Sequence, residues 1–285
     1  MSEQTPQRIR VGHSPDPDDA FMFYGIQAGK VDCAGFELEQ ILEDIESLNR
    51  RALQGELEVS AVSIHAYPHL ADKYALMSCG ASMGDGYGPM IVAKQQMSPA
   101  DLRSCKVAIP GKLTSAYLAM KLYLGGDFPH VVTPFDEILE TVERGDADAG
   151  LIIHEGQLTY ERNGLQLVKD LGIWWGEETG GLPLPLGGNV VRRDLGEETM
   201  NTLTRVLADS IAYGLDHREE ALEYALGFGR GLDGGLADKF VGMYVNDLTR
   251  DYGQRGKDAI TRFLDRGTSA GFVPGIDKLE FVDGK

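Results

Sequence analysis

Cationic side chains are scarce in this chain: 27 Lys and Arg against 44 Asp and Glu leave a formal net charge of −17 over 285 residues. A field of that sign repels nucleic acid and anionic lipid, so neither is expected as a partner. It also poses a problem, because an anionic small molecule can be held only where local donors outweigh the global charge. Cysteine is equally sparse. Cys33, Cys79 and Cys105 are odd in number and have no metal-type spacing, which argues against a disulfide framework or a zinc site and leaves buried apolar thiols as the expectation. No apolar run reaches the roughly 20 residues that span a bilayer. Met1–Arg10 is polar and lacks the apolar stretch of a signal peptide, so the expected location is the cytoplasm. Two catalytic signatures are missing as well: no Gly-x-Ser-x-Gly elbow for a serine nucleophile and no P-loop spacing for a nucleotide.

What is present points to two lobes, since single cores stop growing near roughly 250 residues. Short strands alternate with helices, the pattern of a largely parallel sheet with crossovers. Ile9–Ser14 reads as a strand, followed by a helix with Asp16 as N-cap and Pro17 at its first position. Further strands are expected over Phe36–Gln40, Leu57–Ile64, Tyr87–Ala93, Lys106–Pro110, His130–Thr133 and Ala149–Ile153, with helices over Ile45–Leu53, Leu113–Leu124 and Phe135–Glu143. Beyond Arg193 the pattern is helical and no strand is expected. Crossings between the lobes are expected at Ile91–Lys94 and within Gly180–Asn189, giving a first lobe of residues 1–92 and 189–285 and a second of 93–188.

An internal echo organises the chain. Gly55–His65 and Gly145–His154 each contain a helix-ending glycine, an acidic-alternating start, a buried strand and a histidine at its carboxyl end. Ligands of open α/β sheets bind beyond the carboxyl ends of strands, so a cleft between the lobes is where both histidines are expected. The segment Pro110–Ala116 joins a strand to a helix start, where Thr114 or Ser115 supplies a hydroxyl beside unpaired backbone N–H groups. Such a terminus holds a carboxylate without a lysine, which answers the charge problem. Ser63, Ile64 and His65 read as a second binding segment, and His154 as a proton acceptor. Tyr160, Trp174 and Trp175 are candidates to wall an aromatic ligand. Asp16 and Asp19 also suit a metal, but their place in a helix's first turn explains them more cheaply, and no metal is expected.

Ser14–Phe23, Gly86–Pro89, Pro110–Gly111 with Thr114–Ala116, Asp148–Glu155, Met243–Thr249 and Asp251–Gly253 resemble, in the same order, segments of the 1,4-dihydroxy-6-naphthoate synthases of the futalosine route to menaquinone. The resemblance runs from about Ile9 to Leu264. It implies a two-lobed α/β fold of the type II periplasmic-binding-protein kind with a ligand cleft between the lobes. It also implies a cofactor-independent lyase that converts cyclic dehypoxanthine futalosine to 1,4-dihydroxy-6-naphthoate. Carried over by position, His154 matches the general base, while Ser115 and Ala116 at the helix start and Ser63-Ile64-His65 match substrate-holding positions. Asp16 and Asp18 stand where that family commonly has cysteine and asparagine, and Ser115 where threonine is common. A non-catalytic binding protein for a small carboxylate and a chorismate dehydratase of the same route are the alternatives. Oligomeric state is not legible.

Overall fold

Ile9 and Val11 alternate with polar residues along β1 (Gln7–His13), whose second half is buried. A computed structural model describes residues 6–228 and 234–284 of the chain; those parts of the expected first lobe that fall on 1–5, 229–233 and 285 lie outside the described residues. After β1 the chain bends at Asp16 and enters α1 (Pro17–Gln27) with proline at the start and Asp18 and Asp19 in the first turn. Asp16 occupies the cap position but makes no capping bond; its carboxylate instead accepts from Ser14 Oγ at 2.5 Å.

The echo is real at the level of local structure. α2 (Ile45–Gln54) ends on Gly55 at φ 72° and leads into β3 (Val59–Ser63). α5 (Ile138–Arg144) ends on Gly145 at φ 83° and leads into β9 (Ala149–Ile152). Only glycine adopts that left-handed cap without penalty. β3 pairs parallel with β1, and β9 pairs parallel with β7 (Val107–Ile109).

Each copy belongs to its own sheet. The first also holds β2 (Phe36–Leu42), β4 (Tyr74–Met77), β5 (Ser82–Gly84), β11 (Leu184–Arg192) and β12 (Phe281–Val282), in the order β12-β4-β11-β3-β1-β2 with β5 on β11. The second has the order β10-β6-β9-β7-β8, with β6 at Met90–Ala93, β8 at His130–Val132 and β10 at Gln166–Asp170. Neither is wholly parallel. β6 runs antiparallel to β9 and β10, and β11 antiparallel to β3 and β4. Each is the first strand after the chain changes sheets. It enters from the side where the parallel strands have their carboxyl ends, so it must run away from that side.

This moves the expected outward crossing and narrows the return crossing to the start of the expected Gly180–Asn189 segment. All of β6 lies in the second sheet and β11 begins in the first at Leu184, so the links are residues 85–89 and 180–183. Gly188, within the expected return crossing, pairs with Val62 inside the first sheet. A Cβ there would meet Ile64 Cδ1 at 3.0 Å, so that glycine serves close packing. Arg255, on α11 (Gly253–Ser269), ties the two links together by donating to both carboxylate oxygens of Asp85 at 2.7 Å and to the Gly181 carbonyl at 2.8 Å.

The carboxy-terminal helices α7 (Glu197–Asp216), α8 (Arg218–Leu226) and α9 (Gly234–Tyr244) cover α1, followed by α10 (Asp247–Arg250) and α11. The expectation of no strand beyond Arg193 fails at β12, which adds beside β4. Short α3 (Pro99–Ser104) and α6 (Leu171–Thr179), with α4 (Ser115–Leu124), complete the second sheet's helices. No described helix is long and apolar enough to cross a membrane. Of the cysteines only Cys79 is buried; Cys33 and Cys105 are partly exposed.

Away from the cleft, Glu58 accepts from the Arg10 backbone and guanidinium at 2.8–2.9 Å and lies 3.1 Å from Arg192. Burial alone would raise its carboxyl, but the Arg10 bonds and the Arg192 charge outweigh that and push it down to about 2. A depressed carboxyl stabilises the fold above its ordinary titration and loses that contribution as pH falls through the folded value. Glu58→Gln is therefore expected to cost about 1–2 kcal/mol in urea unfolding at pH 7. That gap should close as the pH falls from about 4 to about 2.

Candidate functional site

The helix start at α4 is built as its sequence dictates. Thr114 is extended at φ −69°, ψ 144°, and its hydroxyl accepts from the Tyr117 amide. The same hydroxyl donates to the Gly111 carbonyl at 2.9 Å. The Ser115 hydroxyl accepts from the His65 amide at 3.1 Å and donates to the Leu186 carbonyl at 2.5 Å. Both hydroxyls are thus consumed, that of Ser115 in anchoring α4 to the end of β3 and to β11, that of Thr114 in closing the helix's own cap. What α4 offers a ligand is the amides of Ser115 and Ala116, at its first two positions, which have no acceptor among the described residues. Such orphan N–H groups at the positive end of a helix are an anion site.

These positions line a cavity between the sheets. Ser63, Thr114, Ser115 and Ala116 all reach its wall. Ser63 is held by Asn49 of α2, which donates to its hydroxyl at 3.0 Å and accepts from its amide at 2.8 Å. Ile64 does not reach the cavity; it is fully buried in the core beneath.

The two histidines do not meet. His65 Nδ1 lies 3.0 Å from the Thr114 carbonyl, and because a carbonyl only accepts, that nitrogen carries the proton. Burial pushes the ring down to about 4. It is a neutral tie between β3 and α4 and does not line the cavity. His154 is 8% exposed and caps the short turn Glu155–Leu158, with Nδ1 accepting from the Gly156 amide at 2.9 Å. Its ring packs edge-on against Phe135 at 5.5 Å. Its neighbours Ile153 and Gln157 line the cavity; His154 itself lies behind them.

The larger surprise is the opposite wall. Asp16, Asp18 and Asp19 all line the cavity beside Ser14 and Ser82. Ser82 Oγ donates to Asp18 at 3.3 Å and the Ser14 amide to Asp19 at 3.0 Å. Burial, then repulsion by Asp16, raises Asp18 to about 7. Asp19 is raised by burial and by both neighbours. The cluster therefore retains a proton near neutrality. Three acids within four residues at a strand's carboxyl end were the available signal. The first-turn reading explained them locally and did not anticipate that β1 ends on the cleft. Among the described residues no group of three or more His, Cys, Asp or Glu is placed to hold a metal ion.

The aromatic wall also differs from expectation. Trp175 is fully buried and donates to the Pro183 carbonyl at 3.0 Å, and neither Trp174 nor Tyr160 reaches the cavity. Phe240 and Tyr244 of α9 do. The Tyr244 hydroxyl crosses the cleft to donate to Gln157 at 2.7 Å, a contact between segments too distant in sequence to be read from either.

Comparison with known proteins agrees with this architecture. A sequence family described as menaquinone biosynthesis matches residues 9–269. A 1,4-dihydroxy-6-naphthoate synthase of Thermus thermophilus is 41% identical over 97% of this chain and 100% of its own. A crystal structure of an Archaeoglobus fulgidus protein is 47% identical at a TM-score of 0.89, covering 93% of this chain and 98% of that one. A Candida albicans protein described as having the generic periplasmic-binding-protein fold superposes at a TM-score of 0.70 with 14% identity, over 95% of this chain and 92% of its own. The fold is two-lobed α/β of that kind.

Proposed function

Because the chain belongs to the menaquinone biosynthesis family, we propose that it is a 1,4-dihydroxy-6-naphthoate synthase acting on cyclic dehypoxanthine futalosine. The observation that carries the reading is the cavity between the sheets whose wall includes the free amides of Ser115 and Ala116. They give a carboxylate a place in a protein that otherwise repels one. Thr114 shapes this terminus and Ser63 joins it in the lining. Ile64 and His65 act behind the wall, His65 by holding α4 in place. The lobes divide at the links 85–89 and 180–183.

The substrate is a carboxylated bicycle joined to a sugar through a shared carbon. Its conversion needs proton removal, carbon–carbon cleavage and aromatisation, so it runs as a lyase reaction, and the aromatic product supplies driving force. In this reading His154 is the general base. It lies directly beside the cavity wall, between Ile153 and Gln157. In the neutral ring the Gly156 amide occupies the Nδ1 lone pair, which leaves the proton on Nε2. Base action therefore requires the 155–158 turn to release Nδ1 when substrate enters. Incubating purified protein with cyclic dehypoxanthine futalosine should yield 1,4-dihydroxy-6-naphthoate by mass spectrometry. Binding without product would favour a non-catalytic carboxylate-binding protein, and consumption of chorismate the dehydratase.

A further inference from the structure

The cavity is polarised. One wall carries the α4 amides and the other the carboxyl groups of Asp16, Asp18 and Asp19, while no Lys, Arg or His is among its described lining residues. A ligand carboxylate is attracted to the first wall and repelled by the second. The acidic wall offers acceptors held in place by Ser14 and Ser82. A second, independent feature points the same way. Asn189, 1% exposed and part of the same lining, uses its Nδ2 on the Gly80 carbonyl at 2.8 Å, while its buried Oδ1 has no donor. Carboxyl groups beside an unsatisfied amide oxygen are complementary to hydroxyl donors.

We infer that Asp18 is an orientation-determining residue: the acidic wall receives the hydroxyl-bearing end of the ligand, and the α4 amides receive its carboxylate. This rests on the functional reading above, in which the hydroxyl-bearing end is the sugar. The retained proton on the cluster suits it further, because a protonated carboxyl both donates to and accepts from a hydroxyl. Asp18 reaches this position because β1 ends at the cleft and α1 starts there, with Ser82 of β5, the strand paired with β11, donating to its carboxylate.

The test uses binding alone, so it stands apart from turnover, which tests the functional reading. Two ring carboxylates of similar frame, quinate with its hydroxyls and cyclohexanecarboxylate without them, are titrated calorimetrically into the parent, Asp18→Leu and Asp18→Asn. The parent should prefer quinate by about tenfold or more, the scale of one well-made polar contact. Asp18→Leu should erase most of that preference with little loss for cyclohexanecarboxylate. Asp18→Asn, which keeps an acceptor and a donor and separates lost contact from lost folding, should retain most of it. A parent without preference for quinate, or a preference that survives in Asp18→Leu, overturns the assignment.

Discussion

His154→Asn is expected to lower turnover of cyclic dehypoxanthine futalosine by about 10²-fold or more, the usual share of a positioned base. Its affinity for 1,4-dihydroxy-6-naphthoate should change little. The substitution is informative because the native ring has two jobs. It caps the 155–158 turn through Nδ1 and the Gly156 amide, and in the proposed reaction it takes a proton. Asparagine is a good capping residue and can keep the first job through its side-chain oxygen, but it cannot accept a proton at neutral pH. Its loss therefore reports proton transfer and not collapse of the turn. His65→Asn is the control. His65 ties β3 to α4 through the Thr114 carbonyl, and an asparagine amide can donate in its place, so a smaller effect is expected. Turnover near the parental level in His154→Asn would remove the histidine from the chemistry.

Ser115→Pro should weaken naphthoate binding by about tenfold or more beyond the effect of Ser115→Ala. The pairing isolates one N–H group. Alanine deletes the hydroxyl that bridges the His65 amide and the Leu186 carbonyl, while proline deletes that hydroxyl and the amide together. The backbone accepts proline here. Ser115 is the first helical position, where proline is tolerated, and Thr114 already has the extended conformation demanded of a residue before proline. A folded proline variant that binds naphthoate as the alanine variant does would show that the α4 amide is not the carboxylate's partner.

Much of the architecture was legible because it is local. The left-handed glycines at 55 and 145 follow from helix termination, the strands after them from apolar runs, and the orphan amides of α4 from a Thr-Ser helix start. Short elements such as β5 and β12 carry too few residues for a period and were not read. The expected return crossing, Gly180–Asn189, contains the link but runs on into β11 through Gly187 and Gly188. They are strand residues paired with Ser63 and Val62, and the missing side chain of Gly188 admits Ile64 and Tyr252.

The sequence by itself determined the class of fold, the family resemblance, and a helix start with unpaired amides in a protein of strongly negative charge. It did so because periodicity, capping and charge balance are properties of neighbouring residues. Only the tertiary structure decided which side chains share the cavity. It turned two equivalent strand-end histidines into different residues, one tied to the Thr114 carbonyl and one capping its own turn. It also brought the first-turn aspartates of α1 opposite the amides of α4, nearly a hundred residues later. That difference lies in long-range packing: which way a strand-end side chain points depends on the sheet facing it, and no local pattern records that.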